Sequence, residues 1–133
     1  MRTKPCLTSA ETKQMMAACL AEAEKNGWEV TIAICDDAGV LLSLERMDGA
    51  PAISATVAPD KAKASALTKL PTKFWEDRVK ERPAFANFPA GSLIQGAVPV
   101  IYEGECVGAI GVSGVQSSQD EQIARAGLVA LKA

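Results

Sequence analysis

Gly104-Glu-Cys-Val-Gly-Ala-Ile-Gly-Val-Ser-Gly114 reads as one apolar strand punctuated by glycines, with a capped helix directly behind it. A glycine inside a strand costs conformational entropy and packs nothing, so it marks close approach of another backbone or a ligand. Gly108 and Gly111 differ in parity and therefore point to opposite faces of the strand. The stretch predicts a sheet covered tightly on both sides by helices, a partner subunit or a bound molecule.

The flanking sequence supplies the other elements. Leu93 to Tyr102 and Glu105 to Ser113 read as a hairpin about Glu103-Gly104, and Pro99 predicts an edge position or a strand break. A second hairpin joins Glu29–Asp36 to Val40–Glu45 through the turn signal Asp36-Asp37-Ala38-Gly39. In its first strand Val30, Ile32 and Ile34 share one face, and Thr31, Ala33 and Cys35 share the other. A first helix is expected from Ser9 to Asn26, opened by a Thr8/Glu11 capping box, stopped at Gly27, and burying Met15, Met16, Cys19, Leu20 and Ala23. Ala52 to Leu70 is alanine-rich and helical, with Pro59 expected to divide it. A short helix at Thr72–Arg82, with the charges from Glu76 to Arg82 on a solvated face, leads into a loop at 83–92 holding Phe85 and Phe88. The last helix is expected to open at a Ser118/Glu121 capping box, with Asp120 in its first turn. Hairpin-linked strands with apolar residues on both parities imply an α+β fold: about five antiparallel strands between helices, in one domain spanning 1–133.

Composition narrows the function. The 133 residues are 48% hydrophobic and only 5% aromatic, so aliphatic residues and alanine must build the core. A net charge of −2 gives no electrostatic reason to expect nucleic acid or an anionic membrane as partner. No apolar run approaches the ~20 residues that span a bilayer. The charges in Met1-Arg-Thr-Lys-Pro-Cys-Leu7 have no apolar stretch behind them, so a cytoplasmic location is expected. Cys6, Cys19, Cys35 and Cys106 form no CxxC pair and are expected to be buried, reduced thiols. The chain has no histidine, which excludes the usual zinc patterns, a Ser-His-Asp or Cys-His nucleophile, and histidine-ligated haem. Acid–base chemistry would fall to carboxylates, lysine, cysteine or Tyr102.

Arg46, Asp48 and Lys61 make the most suggestive polar set. Arginine offers a planar fork to a carboxylate, and a lysine near a helix N-terminus adds charge where anions are already favoured. Together they would suit a small carboxylated or phosphorylated ligand. A salt bridge from Asp48 to Arg46 or Lys61, fixing the loop, accounts for the same residues. Backbone N–H groups near Ser117 and Ser118 could likewise hold an anion or simply be capped.

Four stretches in order resemble the GlcG/HbpS family, which includes the C-terminal domain of PduO-type corrinoid adenosyltransferases. They are Ile32–Leu42, Arg46-Met-Asp-Gly-Ala50, Asp60-Lys-Ala-Lys-Ala64, and Gln95–Val100 with Gly104–Gly114 and Gln119-Asp-Glu121. The resemblance covers nearly the whole chain. It implies a profilin-like αβα fold, a homo-oligomer and a small-molecule ligand, haem or a corrinoid, in the service of a small-molecule catabolic pathway. Haem binding in part of the family involves a histidine, which this chain lacks; Met15, Met16, Cys19 or Tyr102 could ligate iron instead. A small catabolic enzyme of isomerase or lyase type using Arg46, Asp48 and Lys61, or a structural accessory oligomer, are the alternative functions.

Overall fold

The computed structural model describes residues 1–132. The glycine-punctuated strand, β4 (Glu105–Ser113), lies inside a four-stranded antiparallel sheet between β1 (Thr31–Asp36) and β3 (Ala97–Tyr102). β2 (Leu41–Arg46) is the other edge, giving the order β2-β1-β4-β3. Helices α1 (Ser9–Lys25) and α4 (Ser117–Lys132) cover one face, and α2 (Ser54–Thr68) covers the other. α3 (Thr72–Glu81) and a short 3-10 helix at Pro83–Asn87 stand beside this core.

Strand parity divides the core as the sequence predicts. Val30, Ile32, Ile34, Ile110 and Val112 pack against Met15 and Cys19 of α1 and Ile123 of α4. Ala33, Cys35 and Ala109 meet Ala58, Ala62 and Ala66 of α2. The second cluster is thin because alanines bring helix and sheet backbones together. A Cβ on Gly111 would lie 2.3 Å from the Ala58 carbonyl oxygen and 2.6 Å from the Ala62 nitrogen. On the opposite face, a Cβ on Gly108 would lie 2.8 Å from Leu7 Cδ1. Each large apolar side chain buried here contributes roughly 1.5–3 kcal/mol.

Several boundaries differ from expectation. The sheet has four strands, not about five: β3 runs unbroken through Pro99, and it begins at Ala97 rather than Leu93. Gln95 gives its N–H to the Glu76 side chain at 3.3 Å, and Gly96 has φ +140, so this stretch turns instead of extending. Pro99 does sit on an edge strand, where its missing N–H disturbs nothing. Pro59 does not divide α2, which runs unbroken across it and ends where Lys69 takes the left-handed conformation, φ 62. Residues 83–87 coil into the 3-10 helix, where Phe85 and Phe88 pack on Trp75 with ring centroids 5.5 and 5.0 Å away. The Thr8/Glu11 capping box of α1 forms as expected, with Thr8 N–H donating to Glu11 at 3.1 Å. α4 opens one residue before Ser118, and its cap is Gln119 Oε1 accepting from Gln116 N–H at 3.3 Å.

Candidate functional site

Lys61 lies on the sheet-facing side of α2, among the alanines. Its Nζ donates to the Val112 carbonyl at 3.0 Å and to Asp120 Oδ2 at 3.1 Å. Asp120 Oδ1 accepts the Val115 N–H at 3.2 Å. One ammonium thereby ties α2, β4 and α4 together, with the Lys61 and Asp120 side chains only 3% and 2% exposed. Burial pushes the Asp120 carboxyl above its ordinary value, and Lys61 pulls it back part of the way. The pair needs Gly96: a Cβ there would stand 2.7 Å from Lys61 Nζ and 2.8 Å from the Val112 oxygen.

Arg46 and Asp48 lie elsewhere, exposed at the exit of β2. Arg46 gives Nε and Nη2 to the Ala50 carbonyl at 3.3 and 3.0 Å. Neither salt bridge allowed for Asp48 forms among the described residues, because Lys61 is committed to Asp120 and Arg46 to a backbone carbonyl. The three residues are therefore a surface pair and a separate buried lysine. A third polar group sits in front of Gly96. Gln95 donates Nε2 to Glu121 at 3.3 Å, and Glu121 accepts Arg125 Nε at 2.9 Å, fixing the turn before β3.

The N-terminal segment builds a cavity that sequence patterns did not reveal. Lys4 pairs with Asp37, Arg2 pairs with Glu105 at 3.4 Å, and Leu7 packs over Gly108. These contacts hold residues 4–8 over one end of β4. Beneath them is a cavity of 360 Å³ lined by the apolar Pro5, Leu7, Val107 and Leu131 and by Cys6, Glu11, Gln14 and Tyr102. That volume falls within the roughly 300–1,000 Å³ of small-molecule sites. A shallower groove of 470 Å³ runs between α3 and residues 91–94. Neither is lined by Arg46, Asp48 or Lys61.

The four thiols are not alike, contrary to expectation. Cys19 and Cys35 are buried, and desolvation pushes both up to about 12. Cys106 is buried and also raised by desolvation, its Sγ donating to the Gly108 carbonyl at 3.4 Å. Cys6 is exposed. The signal in the sequence was that Cys6 alone lies outside any periodic apolar segment. Among the described residues, no three His, Cys, Asp or Glu side chains cluster as a metal site, and no helix is long and apolar enough to cross a membrane.

Comparison with known proteins adds three findings. Residues 7–129 match the model of the family described as "Haem degrading protein HbpS-like". Protein GlcG of Escherichia coli strain K12 is 41% identical over 114 residues, which cover 85% of each chain. A crystal structure of a Streptomyces reticuli HbpS double mutant is 32% identical and superposes with a TM-score of 0.92, covering 98% of this chain and 90% of that one. The crystal structure of a PduOC–haem complex is 24% identical with a TM-score of 0.88 over 95% of both chains, a likeness of fold.

Proposed function

The chain belongs to the HbpS-like family, and we propose that it binds a small organic ligand, haem or a corrinoid, as a cytoplasmic homo-oligomer accessory to small-molecule catabolism. The observation that carries this reading is the N-terminal cavity. Its 360 Å³ and its apolar residues Pro5, Leu7, Val107 and Leu131 support a small-molecule occupant, with Cys6, Glu11, Gln14 and Tyr102 completing the lining. Thiolate and phenolate are both known to hold haem iron, and Cys6 and Tyr102 are the groups of those types in the lining. When bound, haem would supply an iron centre; the protein's part is to orient the ring and exclude water.

Self-association finds support in β2. This edge strand leaves Leu41, Leu42 and Leu44 exposed beside unpaired backbone groups, a surface that a monomer normally blunts. The cytoplasmic location finds support in four unpaired cysteines.

Arg46 and Asp48 are proposed as a second, exposed contact, with the Arg46 guanidinium taking a ligand carboxylate and Asp48 accepting from a ligand hydroxyl or amine. Ala50 fixes the Nε and Nη2 edge of Arg46 and leaves Nη1 free. Lys61 would serve that contact only by positioning α2, since its Nζ is buried and twice bonded. The same burial weighs against an isomerase or lyase built on Lys61.

The test is equilibrium binding of the pure protein to haemin, a corrinoid and a panel of small organic acids. Saturable binding of haemin or the corrinoid is expected, and failure of every probe overturns the proposal.

A further inference from the structure

We infer that residues 1–7 form an electrostatically latched strap over the N-terminal cavity and set how long a ligand stays there, an inference that rests on reading that cavity as a ligand site. Pro5, Cys6 and Leu7 supply one wall of it, and α1, β3, β4 and α4 supply the rest. Among the described residues, the main chain of residues 1–6 makes no hydrogen bond to any element of the fold. Two ion pairs hold the strap instead. Arg2 meets Glu105 at 3.4 Å, where Glu105 opens β4 opposite Tyr102 of the cavity lining. Lys4 pairs with Asp37 in the turn between β1 and β2, and the ammonium holds the Asp37 carboxyl below the usual carboxylate range. Both anchors lie at the end of the sheet where Asp36 registers with Gly108.

Leu7 is the fixed end of the strap. It packs into the room left by Gly108, and Thr8 behind it caps α1 through Glu11. Pro5 fixes its own φ and keeps Lys4 extended, so the strap moves as a stiff unit about Leu7. The Arg2 and Lys4 side chains are 74% and 47% exposed, so each pair is weak and screened by salt. A segment held by such contacts opens far more readily than the sheet beneath it. When the pairs are screened or broken, the wall swings away and a bound molecule leaves faster.

The experiment uses the full chain and uncharged 1-aminoanthracene, a probe whose fluorescence rises in an apolar site. Wild type is compared with Arg2→Ala/Lys4→Ala and with the exchanged pair Lys4→Asp/Asp37→Lys, each first checked for native thermal unfolding. Nitrogen-15 relaxation of the Lys4, Cys6 and Leu7 amides should show an ordered strap in wild type, a mobile one in the double alanine variant, and order restored by the exchange. Amide shifts at Val107 and Leu131 on adding the probe show that it sits in the cavity. In stopped flow at about 0.01 M salt, the probe should leave the double alanine variant at least about twofold faster than wild type. At about 1 M salt wild type should reach the variant's rate, while the variant itself gains nothing from salt. If the probe sits in the cavity and its release ignores both salt and the variants, the strap inference fails while the cavity reading stands. A strap that stays ordered without Arg2 and Lys4 overturns it equally. If the probe does not enter the cavity, the cavity reading falls and takes the inference with it.

Discussion

Lys61 Nζ and Asp120 Oδ2 meet at 3.1 Å inside the protein, where three elements converge. Removing one partner leaves the other charged in an apolar setting. Lys61→Ala or Asp120→Ala alone should destabilise by about 3–5 kcal/mol. Replacing both, as Lys61→Met with Asp120→Leu, should restore much of that loss. Denaturant unfolding of the four proteins measures the coupling, and additive losses would show that the pair does not act as a unit.

Gly111 and Gly104 should respond differently to alanine. A Cβ on Gly111 runs into the α2 backbone at 2.3 Å, so Gly111→Ala must push the helix off the sheet. Overpacking of this kind costs about 1–3 kcal/mol. Gly104 has open space around it and should lose stability only through its φ of +80. Thermal unfolding of the two variants compares these costs.

The thiols predict both a labelling pattern and a pH dependence. One cysteine per native chain, Cys6, should react with a thiol reagent near neutral pH, and the other three only on unfolding. Cys19 and Cys35 sit at about 12 in the folded protein against an ordinary 9.0. A raised thiol stabilises the fold fully below its unfolded value, and the contribution is lost as pH climbs toward the folded one. Stability should therefore fall between roughly pH 9 and 12, and less so in Cys19→Ala relative to its own neutral-pH value.

The exposed leucines of β2 predict how copies associate. Leu41→Lys with Leu44→Lys should shift the protein to smaller species in light scattering while leaving its circular dichroism unchanged. An unaltered mass would place self-association on another surface.

Much of the architecture was legible because its signals are local. The parity of Gly108 and Gly111, the alternation from Val30 to Cys35, and the Thr8/Glu11 cap each lie within one element. The family likeness was legible for the same reason, in four short stretches. The Lys61–Asp120 pair was not, because its members stand 59 residues apart and each has an ordinary surface explanation. Asp120 looked like a helix-dipole residue, and Lys61 looked like a partner for nearby Asp48. Residues 93–96 looked extended, but Glu76 of α3 takes the Gln95 N–H. The cavity escaped notice because it depends on the N-terminal segment folding back over β4, a contact no periodicity encodes.

A crystal structure of the protein grown with haemin tests ligand capture most directly. The expected result is density for the ring in the N-terminal cavity, against Leu7 and Val107. A cavity without density in crystals that have taken up haemin, or density only beside Arg46 and Asp48, would contradict it.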